Sequence, residues 1–282
     1  MRILCLHGYG MNPDVMRHQM SALMKLADPS WEFHFLSGQI ECPAAPGVEL
    51  AFPGPYFCYS SDFDPVSMRA THALVDREIN TNGPFDGVFG FSTGAGVLVA
   101  YLLERLAAYP DQPLPVKFAV FCSPPPPIST DPVYYDSLIG CLSANDKKRL
   151  YSAEDEQLAQ LPAPTRSMIT VVVKVLDCMA PITRRPRKAF LDRAPMPVPC
   201  IIHPAFFKAR LPIPTLHVRA TKDDPAMKEG AVLIESLCLP ELRRTVEHSA
   251  IHNLPRKKGE VQELVSAMEW AVAQSQQPQA RL

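Results

Sequence analysis

Short apolar runs alternate with longer amphipathic stretches from the first residue of the chain. Arg2–His7 is nearly continuous apolar sequence and reads as a buried strand. Asn12-Pro13 then opens a helix to about Ala27, with Asn as N-cap and Pro at the first helical position. Trp31–Ser37 alternates and predicts a second strand, and the Pro/Gly-rich, aromatic stretch Gly38–Ser61 predicts a long shaped loop. Asp64-Pro65 repeats the cap signature and starts a helix to about Asn80. Asp86–Phe91 is a short strand, followed by a helix from about Thr93 to Ala108. Val116–Cys122 has the unbroken apolar character of a parallel strand covered on both faces.

After Ser123 the rhythm breaks. Pro124–Pro127 is a run of four prolines, and the next clear strand is Pro214–Ala220. The intervening stretch far exceeds an ordinary connection of ~12–15 residues, so it predicts an insertion with its own helices, at Asp146–Gln160 and Met168–Met179. A helix (Pro225–Leu239), a strand (Arg243–His248) and a terminal helix (about Lys258–Ser275) follow. Strand–helix alternation implies an α/β fold, a mostly parallel sheet covered by helices on both faces. Residues 1–123 and 209–275 form its core, 124–208 a Pro-rich lid insertion, and 276–282 a frayed tail.

Composition narrows the function. The 282 residues carry 28 Lys+Arg against 29 Asp+Glu, a formal net charge of -1, which removes the basic footprint of a nucleic-acid binder. No apolar run approaches the ~20 residues of a membrane span. The strand directly after Met1 leaves no room for a signal peptide, so a cytoplasmic location is expected. The eight cysteines form no CxxC pair and no zinc spacing, and no phosphate loop or dinucleotide fingerprint occurs. Neither a metal nor a cofactor is called for. Cys5 and Cys122 lie in strand-like runs, where cysteine is a small buried hydrophobe.

Gly90-Phe91-Ser92-Thr93-Gly94 is a G-x-S-x-G sequence between a strand and a helix. Such a turn strains its central residue and raises Ser92 at the carboxyl edge of the sheet, at a helix N-terminus. A nucleophilic serine needs a base and the base needs an orienting group. In α/β-hydrolases these follow in the order Ser, acid, His, each after a strand. Asp223 is the candidate acid, three residues past Ala220, while Asp224 beside Pro225 is better explained as a helix cap. His252 is preferred to His248 as base, because His248 still belongs to the strand end. The Thr93 N–H and one from His7-Gly8-Tyr9-Gly10, with Tyr9 first and Gly10 second, are candidates for an oxyanion hole.

Taken together, Leu6–Gly10, Gly90–Ala95, Phe52-Pro53-Gly54-Pro55 and His248…His252-Asn253-Leu254-Pro255 resemble the FSH family of serine hydrolases, over most of the chain. The resemblance implies the α/β-hydrolase fold. It is nearest to fungal members that accompany polyketide synthases and release acyl chains from carrier proteins. The sequence departs from the family in Thr93, where glutamine is usual, in Ala220 for the glycine of a G-x-x-D turn, and in Ala250-Ile251 before the histidine.

The insertion is expected to form an acyl pocket, with Val172, Leu176, Met179, Phe206 and Phe207 as candidate lining, although Met168–Met179 equally suits a helix packed on the core. The run Arg184-Arg185-Pro186-Arg187-Lys188, with Arg193 nearby, could meet an acidic carrier protein or could be a solvated charge run. The reading that results is a thioesterase that releases a polyketide-type acyl chain from an acyl carrier protein through a Ser92 acyl-enzyme, by hydrolysis or by intramolecular lactonisation. A carboxylesterase on small free esters or lactones is the alternative enzyme, and a non-catalytic ligand-binding member of the fold the third reading.

Overall fold

A computed structural model of the protein describes residues 1–277. Strands β1 (Arg2–Leu6), β2 (Glu32–Leu36), β5 (Gly87–Phe91), β6 (Phe118–Cys122), β7 (Thr215–Ala220) and β8 (Arg243–His248) form one sheet, and β3 (Ile40–Glu41) and β4 (Phe57–Cys58) a small antiparallel ribbon. The helices are α1 (Pro13–Gln19), α2 (Ser21–Leu26), α3 (Pro65–Asn82), α4 (Thr93–Ala108), α5 (Pro132–Tyr135), α6 (Ala144–Ser152), α7 (Asp155–Leu158), α8 (Ala163–Thr183), α9 (Lys188–Leu191), α10 (Pro225–Glu235) and α11 (Lys258–Ser275).

The sheet order is β2-β1-β5-β6-β7-β8, and every pairing is parallel. From β1 the chain winds outward to β2, then returns past β1 to β5 and continues to the other edge. The switch in direction therefore falls between β1 and β5. In open α/β sheets a crevice forms at the carboxyl ends of the strands flanking that point, because the connections leave in opposite directions. The loops after β1 and β5 carry His7–Gly10 and Ser92.

Alternate side chains of the central strands feed two cores, as the two-residue period of a strand requires. Ile3, Cys5, Phe89, Phe91, Phe118, Val120, Leu216 and Val218 pack under α1, α2 and α11. Leu4, Leu6, Val88, Ala119 and Phe121 face α3, α4, α8 and α10. Cys5 and Cys122 are fully buried, as their strands predicted.

Three local expectations are corrected. The helix expected over 12–27 is broken at Met20, between α1 and α2. The helix expected over 146–160 divides at Ala153, whose φ of 59° turns the chain out of the helix. The long loop 38–61 contains β3 and β4, pinned to the β1 loop by a Gly10 N–H bond to the Phe57 carbonyl of 3.1 Å. Of the expected tail, Gln276 and Gln277 close the last turn onto Ala273 and Gln274, and 278–282 lie outside the described residues.

The segment between β6 and β7 is fastened at several points. Glu104 of α4 accepts from the Ser129 hydroxyl at 2.7 Å and from the Thr130 N–H at 2.6 Å. Lys174 of α8 pairs with Glu229 of α10 at 2.7 Å. Arg185 pairs with Asp62 at 2.9 Å, and Arg193 with Asp64 at 2.8 Å.

Candidate active site

Ser92 sits between β5 and α4 with φ 51° and ψ -125°, a left-handed backbone that a serine adopts only when its surroundings impose it. The flanking glycines show what imposes it. A Cβ on Gly90 would lie 2.4 Å from the Ala95 Cα, and one on Gly94 2.4 Å from the Leu6 carbonyl oxygen. No side chain fits at either position, so the strand and helix close tightly and Ser92 is left at the tip of the turn.

His252 reaches that tip from the loop after β8. Its Nε2 lies 2.9 Å from the Ser92 Oγ, and its ring lies against Phe91, tilted by 44° with 5.3 Å between centroids. Its Nδ1 lies 3.0 and 2.9 Å from the two carboxylate oxygens of Asp223. Nδ1 therefore carries the proton and Nε2 has its lone pair toward the serine hydroxyl. Burial works to raise the pKa of Asp223. Hydrogen bonds from His252 and the Asp224 N–H, together with the His252 charge, outweigh it and hold the carboxyl below its ordinary value. Asp224 has the other task expected of it: its carboxylate accepts from the Ala226 N–H at 2.8 Å and caps α10.

The chain's comparison with known proteins agrees with this geometry. The family model described as Serine hydrolase (FSH1) matches residues 1–264. The chain belongs to this family. It is 43% identical over 239 residues to the serine hydrolase cnsH of Penicillium expansum, covering 85% of this chain and 98% of that one. It is 34% identical over 281 residues to the esterase alnB of Emericella nidulans, covering 98% of each chain. The hydrolase FUB4 of Fusarium oxysporum f. sp. lycopersici is 28% identical over 272 residues, 93% of this chain and 94% of that one. The protein is a serine hydrolase with the α/β-hydrolase fold.

Two residues of the hydrolase's site were not singled out in the sequence. His7 is fully buried behind the β1 loop. Its Nε2 accepts the Gly38 N–H at 3.0 Å and its Nδ1 donates to the Gly8 carbonyl at 2.7 Å, so it bolts the loops after β1 and β2 together as a neutral ring. Burial lowers its pKa to about 4. Ser123, one residue past β6 with φ 45°, is buried with its hydroxyl unpartnered among the described residues. A buried histidine after a strand and a serine before four prolines carry no pattern of their own, which is why neither stood out. His248, the rejected base, is buried, and neither ring nitrogen has a hydrogen-bond partner among the described residues.

Tyr9 and Thr93 flank Ser92 from the two strands of the switch point. The second oxyanion candidate, Gly10, has its N–H committed to Phe57. Tyr9 and Thr93 also begin the wall of an apolar cleft with an inner free volume of about 50 Å³. Val172, Leu176 and Met179 of α8 line it, along with Cys58, Phe63 and Val97. Phe206 and Phe207 do not. Phe207 packs edge-on against Tyr134 at 6.0 Å, and Phe206 lies on His203 at 5.2 Å, so both serve the packing of the insertion.

The basic run is not a free patch. Arg185 and Arg193 are tied to Asp62 and Asp64, and Arg187 is held between Asp155 at 2.8 Å and Asp177 at 3.1 Å. These guanidiniums fasten the insertion to the β4–α3 connection and to itself. The described residues contain no group of three metal-binding side chains, and no helix among them is long and apolar enough to cross a membrane.

Proposed function

We propose that Ser92 is the acyl-accepting nucleophile, His252 its general base and Asp223 the group that fixes the imidazole. The observation that carries this reading is the continuous line from Asp223 through His252 to the Ser92 Oγ, with no contact longer than 3.0 Å. His252 Nε2 takes the hydroxyl proton as the oxygen attacks a carbonyl carbon, and the imidazolium that results is stabilised by the buried Asp223 carboxylate. The Tyr9 and Thr93 N–H groups take the negative charge that develops on the carbonyl oxygen. His252 then returns the proton to the leaving thiol or alcohol. Water, activated by the same imidazole, releases the acyl group.

The substrate of this reading is a polyketide-type acyl chain presented as a thioester on an acyl carrier protein, with segment 124–208 as the lid over the acyl group. Three things support it: the apolar cleft that begins at Tyr9 and Thr93, the contribution of α8 to that cleft, and the resemblance to fungal members that accompany polyketide synthases. Positive charge for an acidic carrier is available at Arg256 and Lys258. Both are exposed, have no carboxylate partner among the described residues, and follow the His252 loop directly. Ile251, 70% exposed beside His252, adds an apolar contact at the same place.

The test is turnover of matched acyl chains carried as carrier-protein thioesters, as free pantetheine thioesters and as simple oxygen esters. The reading expects the carrier-bound thioester to be preferred and the preference to shrink in Arg256→Glu/Lys258→Glu. Faster turnover of the oxygen ester, unchanged by those substitutions, would favour a carboxylesterase acting on free esters.

A further inference from the structure

The cleft is small for the acyl chain proposed to fill it. Its inner free volume of about 50 Å³ holds roughly four water-sized groups, so a longer chain enters only if part of the wall gives way. Most of the wall is fixed. Thr93 and Val97 belong to α4, Val172 and Leu176 to α8, and all four are buried. Of the described residues that line the cleft, only Phe63, Ile128 and Val175 are not buried. Val175 is carried by α8, and Ile128 is bridged to Ile201. Phe63 is left as the one of the three outside helix and bridge, on the connection from β4 to α3.

Its backbone is strained. Phe63 has φ 53°, a left-handed conformation that a bulky side chain avoids. Residues held there persist only where their surroundings impose it, and they collect at ligand clamps and switch segments. The turn that imposes it is local: the Phe63 N–H donates to the Ser60 Oγ at 2.9 Å, and that oxygen lies 2.8 Å from the Ser67 Oγ of α3. The phenyl ring rests against Tyr9 of the β1 loop, with 6.4 Å between centroids, and against Phe190 of α9 at 5.8 Å.

Both chain neighbours of Phe63 are tied to the insertion. Asp62 pairs with Arg185 at 2.9 Å and with Arg193 at 3.3 Å, and Asp64 pairs with Arg193 at 2.8 Å. Arg185 also donates to the Ser61 carbonyl at 2.9 Å, and its guanidinium lies 4.3 Å over the Phe190 ring. The Asp64 carboxylate is buried, and its other oxygen caps α3 through the Val66 and Ser67 N–H groups, so this end is a fixed point. Asp62 and Arg185 are partly exposed, and ion pairs of that kind are individually weak. The connection is anchored at Asp64 and lightly fastened at Asp62.

We propose that Phe63 is the length-selecting gate of the acyl cleft. In the closed position of this structure it confines the cleft to short acyl groups. When a longer chain enters, it swings outward about Asp64 and Asp62 parts from Arg185. The inference rests on the reading that the acyl group of the Ser92 ester lies in this cleft. Apparent affinity for a ligand that needs the open state is reduced by the fraction of time the gate is open, so long chains carry a penalty that short ones do not.

The experiment measures kcat and KM of the whole protein on two-carbon and twelve-carbon p-nitrophenyl esters. In Phe63→Ala the ratio of kcat/KM, twelve-carbon over two-carbon, rises on the order of tenfold as the opening penalty is removed, and the gain lies in KM for the long ester. Phe63→Gly, which also loses the ring and accepts φ 53° without strain, gives the same shift where the alanine variant folds poorly. Asp62→Ala keeps the ring but not its fastening, and raises the ratio by a smaller factor. Leu176→Trp separates the gate from the reading beneath it, since it lowers the ratio whenever the acyl group occupies the cleft. A lowered ratio in Leu176→Trp with no rise in either Phe63 variant overturns the gate alone. A fall in kcat for both esters with the ratio unchanged, the sign of a merely loosened fold, also overturns it. No change of ratio in any variant, Leu176→Trp included, overturns the placement of the acyl group and the gate with it.

Discussion

Asp223 holds His252 with both carboxylate oxygens, at 2.9 and 3.0 Å from Nδ1, while its neighbour Asp224 turns away to cap α10. The two adjacent carboxylates therefore separate cleanly by substitution. Asp223→Asn presents an amide where the imidazole N–H needs an acceptor, and kcat falls by ~10⁴, as when the tautomer is no longer enforced. Asp224→Asn keeps a good cap, and its activity and melting temperature stay near wild type. Steady-state kinetics and thermal melts of the two variants check this pair; comparable losses in kcat would dissolve the distinction.

The two histidines at the end of β8 separate in the same way. His252→Ala lowers kcat by ~10³ or more, because the serine loses its base. His248→Ala leaves kcat within a fewfold and lowers stability instead, since that buried ring makes no hydrogen bond to Ser92, Asp223 or His252. The readout is kcat beside a denaturation midpoint.

On the proposed reading, α8 sets acyl selectivity. Leu176→Trp or Met179→Trp fills the cleft, so kcat/KM for long acyl chains falls on the order of tenfold or more while a two-carbon acyl group is turned over nearly as before. Phe207→Ala, away from the cleft, leaves the chain-length profile unchanged and costs ~3–5 kcal/mol of stability. A chain-length series on the variants measures both effects.

Acid sensitivity follows from buried neutral histidines. Burial lowers His7 to about 4 and His217 to about 3. An unfolded histidine titrates near ~6.5, so below that the unfolded chain binds more protons than the folded one and stability falls as pH falls. Each ring contributes ~1.4 kcal/mol per pH unit between ~6.5 and its folded value. Thermal melts at pH 7 and 4.5 show the loss, and His217→Gln, which has no such proton to gain, shows a smaller one.

The fold was legible because the strands of a parallel sheet are apolar throughout, as at Arg2–Leu6, Gly87–Phe91 and Phe118–Cys122, and because Asn12, Asp64 and Asp224 cap helices that begin with proline. Ser92, Asp223 and His252 were legible because each follows a strand in a fixed order. What escaped was set by contacts between distant segments. Arg185 and Arg193 look like free charge until Asp62 and Asp64 arrive from another part of the chain. Phe206 and Phe207 look like pocket lining until Tyr134 and His203 claim them. His7 acquires its bolt only when Gly38 reaches it across the sheet edge.

The central claim is that catalysis passes through an ester on Ser92. Intact mass spectrometry of the protein, quenched in acid during turnover of a slowly released acyl thioester, tests it directly. The account predicts a mass gain of one acyl group, mapped to the peptide that carries Gly90–Gly94, and no gain in Ser92→Ala. An acyl adduct on Ser92→Ala, or turnover retained by that variant, would contradict it.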